Sequence, residues 1–341
     1  MVTKVRYGMP IKNSKLLPLV ALCAVCLAAV ALPPRPAPAN PEWMGLIGEY
    51  GPGTGILYIL ERSGKLTTFR NGHEYAALDS ISPDRFRNTR GEDIVFVRGS
   101  NGIATQVRIG TRALERRPIG PAEGQVFRIT PLRPVSLLRE EALRDQPPTE
   151  TGPFRPSDLI DVTTLDPTLK LEIRYATSNN FLGTPLYTEA RAFMQRPAAE
   201  ALVRVERQLR PLGYGLLIHD AYRPWYVTKI FWEATPPDKH MFVADPAQGS
   251  RHNRGCAVDL TLYELKTGKA VTAVSGYDEF SPRAYPYYPG GTSLQRWYRD
   301  LLRTSMVSQG FTVYDTEWWH FDYQDWRLYP IGNQTFEQLS R

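Results

Sequence analysis

Ser250-Arg251-His252-Asn253-Arg254-Gly255-Cys256-Ala257-Val258-Asp259-Leu260-Thr261-Leu262 changes character half-way along. The first half is polar and ends on a glycine that can turn the backbone. The second, Ala257–Leu262, is an apolar run of strand type interrupted by Asp259. Strands disfavour aspartate, and a carboxylate in an otherwise buried strand needs a partner to offset its desolvation. A metal cation is one such partner. A surface histidine paired with a strand-edge aspartate is the other reading, and the stretch alone leaves both open.

Working outward, Gly215-Leu216-Leu217-Ile218 reads as a buried strand that runs into Asp220-Ala221-Tyr222-Arg223-Pro224. Arginine at a strand end, held by the following proline, can meet an oxyanion or a carboxylate; an ordinary surface salt bridge is the alternative. Upstream, Pro197 opens a helix with Leu202, Val205 and Leu209 on one face, closed by Pro211 and Gly213. Downstream, Ser293 caps a helix with apolar Leu294, Trp297, Leu301 and Leu302, ended by Gly310. Helices and strands intermix without a βαβ rhythm, so the fold class is α+β.

A second chemical cluster follows, Glu317-Trp318-Trp319-His320-Phe321. Its aromatics lower the local dielectric, where an unpaired Glu and His are costly. In a flat strand Glu317 and His320 would face opposite sides, so both reach one metal only if the backbone bulges between them. A core histidine bonded to a neighbour is again the alternative. Taken together, the two clusters offer two histidines and an aspartate as ligands, with a carboxylate to spare. Catalytic zinc sites use three protein ligands and leave a fourth position for water. A structural zinc would more often take four ligands, commonly cysteines, and the single cysteine outside the N-terminal segment, Cys256, cannot supply that set.

Toward the N-terminus the pattern changes. Residues 41–132 read as a small all-β domain, with strands at Ile56–Leu60, Lys65–Phe69, Ile94–Val97 and Ile103–Ile109 and turn signals at Ser63-Gly64 and Asn101-Gly102. His73 stands alone there, as a surface histidine. The proline-rich 133–156 reads as a linker with room for one short helix, leaving 157–341 as the catalytic domain. At the start, Lys4, Arg6, Lys12 and Lys15 precede an uncharged apolar run at 16–32, then a Pro/Ala stretch to Asn40. Residues 1–40 therefore read as a secretory signal, with a membrane anchor through 16–32 as the alternative. Both put the rest of the chain outside the cytoplasm, periplasmic or extracellular. Cys23 and Cys26 lie in this segment, so a cleaved product retains Cys256 alone and no internal disulfide. The net charge of +6 is scattered, without a basic run interleaved with aromatics, so nucleic-acid binding is not indicated.

Residues 157–330 resemble the D-alanyl-D-alanine dipeptidase family of zinc DD-peptidases. Five stretches carry the likeness: Arg174-Tyr175-Ala176-Thr177 with Asn180-Phe181-Gly183; Gly213-Tyr214-Gly215-Leu216-Leu217; Tyr222-Arg223-Pro224; Ser250-x-His252-x-x-Gly255-x-Ala257-x-Asp259; and Glu317-Trp318-Trp319-His320. The resemblance implies one zinc ion per chain on His252, Asp259 and His320, with Glu317 as the base. It implies that Arg223 stabilises the tetrahedral intermediate, worth about 3–4 kcal/mol for such a clamp. It further implies that Asp278 and Tyr175 receive the free ammonium of a small D,D-dipeptide and that Ser250 meets its carboxylate. The sequence departs from the family at Arg251 and Cys256, positions often small and hydroxylated, and at His219, where an aromatic is common. His219 is expected to pack behind the site, and His240 has no expected role. The β domain lies outside the resemblance; a cell-wall polymer is its expected partner. Two other readings remain: a DD-carboxypeptidase acting on peptidoglycan stems, and a non-catalytic zinc-stabilised wall-binding protein.

Overall fold

The computed structural model describes residues 33–70, 74–121 and 125–340. Two features read from the sequence, the basic and apolar N-terminal segment and His73, lie outside them. Among the described residues no helix is long and apolar enough to cross a membrane.

Eight strands come first: β1 (Gly48–Tyr50), β2 (Leu57–Arg62), β3 (Lys65–Arg70), β4 (Glu74–Ser82), β5 (Arg85–Asn88), β6 (Asp93–Arg98), β7 (Ala104–Ile109) and β8 (Arg112–Glu115). They pair in sequence order as one antiparallel meander. The sheet curls until Tyr50 bridges Arg116, making it barrel-like. Its interior is apolar, with Leu46, Ile59, Leu66, Phe86, Ile94 and Val107 fully or nearly fully buried. The β2–β3 turn behaves as its residues demand. Ser63 and Gly64 both take positive φ, 52° and 75°, and such a type I′ turn matches the twist of the strands it joins. Asn101-Gly102 is wider than expected. The β6–β7 loop runs over 99–103, with a register shift at Val97/Arg98, because Asn101 Oδ1 accepts from the Ile103 amide and holds that residue out of the strand.

The second part has helices α1 (Val135–Arg144), α2 (Val162–Leu165), α3 (Arg196–Leu209), α4 (Trp225–Ala234), α5 (Ser293–Val307) and α6 (Phe336–Leu339). Its strands are β9 (Leu159–Asp161), β10 (Lys170–Leu171), β11 (Phe193–Gln195), β12 (Tyr214–Asp220), β13 (Ala257–Glu264), β14 (Phe311–Tyr314) and β15 (Glu317–Tyr323). Five form a sheet in the order β10-β12-β13-β15-β14, antiparallel except for β10 with β12. α3 and α5 pack against each other and against these strands. Mixed helices and antiparallel sheet are therefore as expected, behind an all-β N-terminal part.

Two local expectations change. The cap of α5 is Thr292, not Ser293: its hydroxyl accepts from Gln295 N while Gln295 Oε1 accepts from Thr292 N, a reciprocal capping box. The stretch 133–156 is no free linker. α1 buries Leu138 and Ala142 against α4, and Glu150 takes Arg254 and the Ile331 amide, so apolar burial and a charged anchor dock it. Residues Arg35–Arg341 form one compact unit.

Candidate active site

Strand register brings the chemistry together. Antiparallel partners share a face of the sheet. Asp220 on β12 pairs with Asp259 on β13, and Asp259 with His320 on β15, so three polar side chains line up across three strands. A register shift at His219 brings Asp220 into that row. A second shift solves the problem posed by Glu317 and His320. β14 advances from Val313 to Tyr314 while β15 runs from Phe321 back to Glu317, so the backbone bulges over 318–320. Glu317 Oε2 thereby comes to 3.7 Å from His320 Nδ1.

His252 enters from a 3₁₀ turn, His252–Arg254, ended by Gly255 at φ 69°. Glycine is needed there, because a Cβ would lie 2.4 Å from Leu159. Asn253 ties this turn to the Arg223 segment: its amide donates to Arg223 O, and Arg223 N donates to His252 O.

The two imidazoles are oriented by acceptors. His252 Nδ1 lies 2.6 Å from Ala221 O and His320 Nε2 lies 2.9 Å from Asp322 Oδ1. Carbonyl and carboxylate oxygens only accept, so those nitrogens carry the hydrogens. The opposite nitrogens, His252 Nε2 and His320 Nδ1, present lone pairs 3.1 Å apart. Asp259 Oδ1 lies 3.3 Å from the first and 3.0 Å from the second, buried and without a hydrogen bond. With those tautomers three acceptor atoms converge, and a divalent cation relieves their repulsion, as a proton on His320 Nδ1 does in its place. Tetrahedral ligands about 2.0–2.1 Å from zinc lie about 3.3 Å from each other, close to the spacing here. Among the described residues His252, Asp259 and His320 form a group able to hold a metal ion. Buried Cys256 and His219 are not in it.

The ionisation shifts trace the same crowding of acceptors, relieved by a proton on His320. Burial opposes the Asp259 carboxylate, but His252 and His320 outweigh it and hold the group well below the usual range. Burial likewise opposes a charged His320, yet Asp322 and Asp259 keep it well above its ordinary value. Burial raises Glu317 to about 7, with His320 opposing and Asp259 adding. Arg223 is fixed by Asp220 Oδ2 at 2.8–2.9 Å and lies over the Tyr175 and Phe231 rings, its guanidinium 3.7 Å from Asp259 Oδ2.

A cavity of about 490 Å³ is lined by the cation group, Glu317, Arg223, Ser250, Tyr175 and Asp278. Asp278 sits at φ 56° and accepts from Tyr175 OH at 2.8 and 3.0 Å. Burial and the charge of Asp259 push its carboxyl well above the usual range, and a cation arriving beside it would favour the ionised form. Ser250 Oγ accepts from His252 N, and Arg251 pairs with Asp322 over the Tyr314 and Trp326 rings. His240, stacked on Trp232, also lines this cavity, and His219 packs on Tyr277 with burial lowering it to about 3. A larger cavity, about 810 Å³, lies between the barrel-like sheet and residues 272–277 and reaches none of His252, Asp259 or His320.

Residues 155–339 match peptidase family M15, described as D-ala-D-ala dipeptidase. The chain belongs to this family of metallopeptidases. Three relatives are each a D-alanyl-D-alanine dipeptidase. The Escherichia coli (strain K12) protein is 33% identical over 51% of this chain and 89% of its own. The Enterococcus faecium protein is 33% identical over 50% and 91%, and the Enterococcus faecalis protein 34% over 45% and 85%.

Three contributors escaped the sequence reading: Asp322, Tyr277 and Asn253. Asp322 was findable, since residues two apart on a strand share a face and His320 needs an orienting acceptor. Tyr277 gave no such signal; it arrives from a loop and donates to Asp259 Oδ2 at 2.9 Å. Tyr277→Phe should weaken metal affinity about 10–100-fold by removing that donor, read by competition with a chromogenic chelator. An unchanged dissociation constant would show the bond to be dispensable.

Proposed function

We propose that this chain is a zinc-dependent dipeptidase that hydrolyses D-Ala-D-Ala to two D-alanines, with His252, Asp259 and His320 holding one zinc ion. Two imidazoles and a carboxylate suit zinc better than the hard, oxygen-seeking Mg²⁺ or Ca²⁺. When bound, zinc supplies Lewis-acid polarisation of the peptide carbonyl and a more acidic water. Glu317 takes the proton from the attacking water and delivers it to the leaving amine. Arg223, held rigid by Asp220, faces the oxygen on which negative charge develops. Tyr175 and Asp278 receive the substrate ammonium, and Ser250 lies on the side of its carboxylate.

The observation that carries this reading is the pairing, in one small cavity, of the cation group and Glu317 with Asp278, a buried acid that Tyr175 holds by its hydroxyl. Neither Glu317 nor Arg223 is needed merely to hold a metal, which weighs against a non-catalytic protein. Export is part of the proposal: the basic residues, the apolar run and the Pro/Ala stretch of the first 40 residues support it.

The test is N-acetyl-D-Ala-D-Ala. Acetylation removes the charge that Asp278 meets, and losing one partner of a buried charged pair costs about 2–5 kcal/mol, or tens- to thousands-fold in kcat/KM. The free dipeptide should be strongly preferred. Equal or faster cleavage of the acetylated form would replace the dipeptidase reading with a carboxypeptidase one, since stem peptides are acylated at that end.

A further inference from the structure

The family match covers 155–339 and the relatives align with about half of this chain, which leaves the barrel-like sheet without a role. We infer that the sheet is a brace that sets the position of Tyr277 and Asp278, and so the preference for a free amine. The inference rests on the reading of Asp278 given above.

The segment 272–292 carries Tyr277 and Asp278 between β13 and α5, and the sheet holds it at both ends. At the far end Glu61 of β2, 2% exposed, accepts from Ser293 N at 2.6 Å through its carboxylate. Its carbonyl accepts from Arg296 at 2.7 Å, and its amide donates to Gly291 O. Arg296 in turn donates to the carbonyls of Pro289, Gly290 and Gly291, knotting the end of the segment to β2. A carboxylate at the start of a helix is favourably placed, and buried with several donors it has one position.

At the near end Gly120, in the chain leaving β8, lies against Glu279. That glutamate is fully buried and follows directly on Asp278. Its carboxylate takes the Gly276 amide and the Arg283 guanidinium, and Arg283 also reaches Ile119 O. The bond of Gly276 N to Glu279 thus spans Tyr277 and Asp278, and helps hold Asp278 in a left-handed conformation that a non-glycine residue seldom keeps unaided. Gly120 has φ 67°, and a Cβ there would stand 2.2 Å from Glu279 Oε1. Glu279 could not yield without breaking the bonds that fix Asp278. Gly120 and Glu61 are therefore positioning residues; neither lines the active-site cavity.

The experiment uses the full chain with zinc and compares D-Ala-D-Ala with N-propionyl-D-alanine, which lacks only the ammonium. Gly120→Ala should cut the wild-type preference for the free dipeptide roughly tenfold, the scale of one disturbed charged hydrogen bond. Assayed at saturating zinc, so that any loosening of the Tyr277–Asp259 bond is masked, kcat/KM on the propionyl compound should stay within about twofold, since His252, Asp259 and His320 stand on other segments. Glu61→Ala serves as a second variant, with the same narrowing expected from the far end. Merely structural damage would lower both substrates together and leave the ratio where it was, which overturns the inference. A wild-type enzyme indifferent to the ammonium would also overturn it, but by removing the role of Asp278 rather than that of the brace.

Discussion

Glu317→Gln should retain one zinc per chain and lose at least about a hundredfold in kcat, with KM little changed. The amide fills almost the same volume and leaves the bulge over 318–320 intact, but it cannot accept a proton. General-base catalysis contributes about 10²–10⁴-fold, and its loss falls on the transition state rather than on ground-state binding. Burial sets the pH signature. Only the carboxylate is a base, so kcat/KM should climb as pH rises through the Glu317 pKa and level off above it. Burial holds that pKa at about 7 in the chain alone. A dication nearby favours the ionised form, so the acid limb should lie below 7 in the loaded enzyme and vanish in the glutamine variant. Turnover near the native level in zinc-loaded Glu317→Gln protein would mean that another group does this work.

The other large effect belongs to the cation group. His252→Ala or His320→Ala should lose stoichiometric zinc and essentially all activity, because two remaining ligands seldom hold zinc against a chelator. Their orienting partners separate this effect from collapse of the fold. Ala221 O and Asp322 bind the histidine nitrogens that face away from the centre. Truncating a ring leaves the strand pairing of Asp259 with position 320 in place, since backbone makes that pairing. Metal analysis after dialysis, with a circular dichroism melt as control, reads the outcome. Full zinc occupancy in either folded variant would remove that residue from the site.

Much of this was legible in the amino acids. Asp259 betrayed itself by interrupting an apolar strand, and Glu317 with His320 by standing among tryptophans, where charge needs a reason. The demand for a bulge between the latter two followed from the two-residue period of a strand alone. Gly255, Gly213 and Gly310 marked turns because left-handed backbone selects glycine. These are local properties, set by each residue's own conformational and solvation preferences.

What only the tertiary structure decided is which groups meet. Cross-strand register put Asp220, Asp259 and His320 in one row, and register depends on pairings between segments far apart in the chain. Tyr277 reached Asp259, and Gly120 reached Glu279, across loops that have no period from which to read a direction. The docking of 133–156, proline-rich and read as a linker with room for one short helix, followed from Glu150 finding Arg254 more than a hundred residues away. Local preference sets what each residue can do, and the compensation of buried charge by a distant partner sets where it does it.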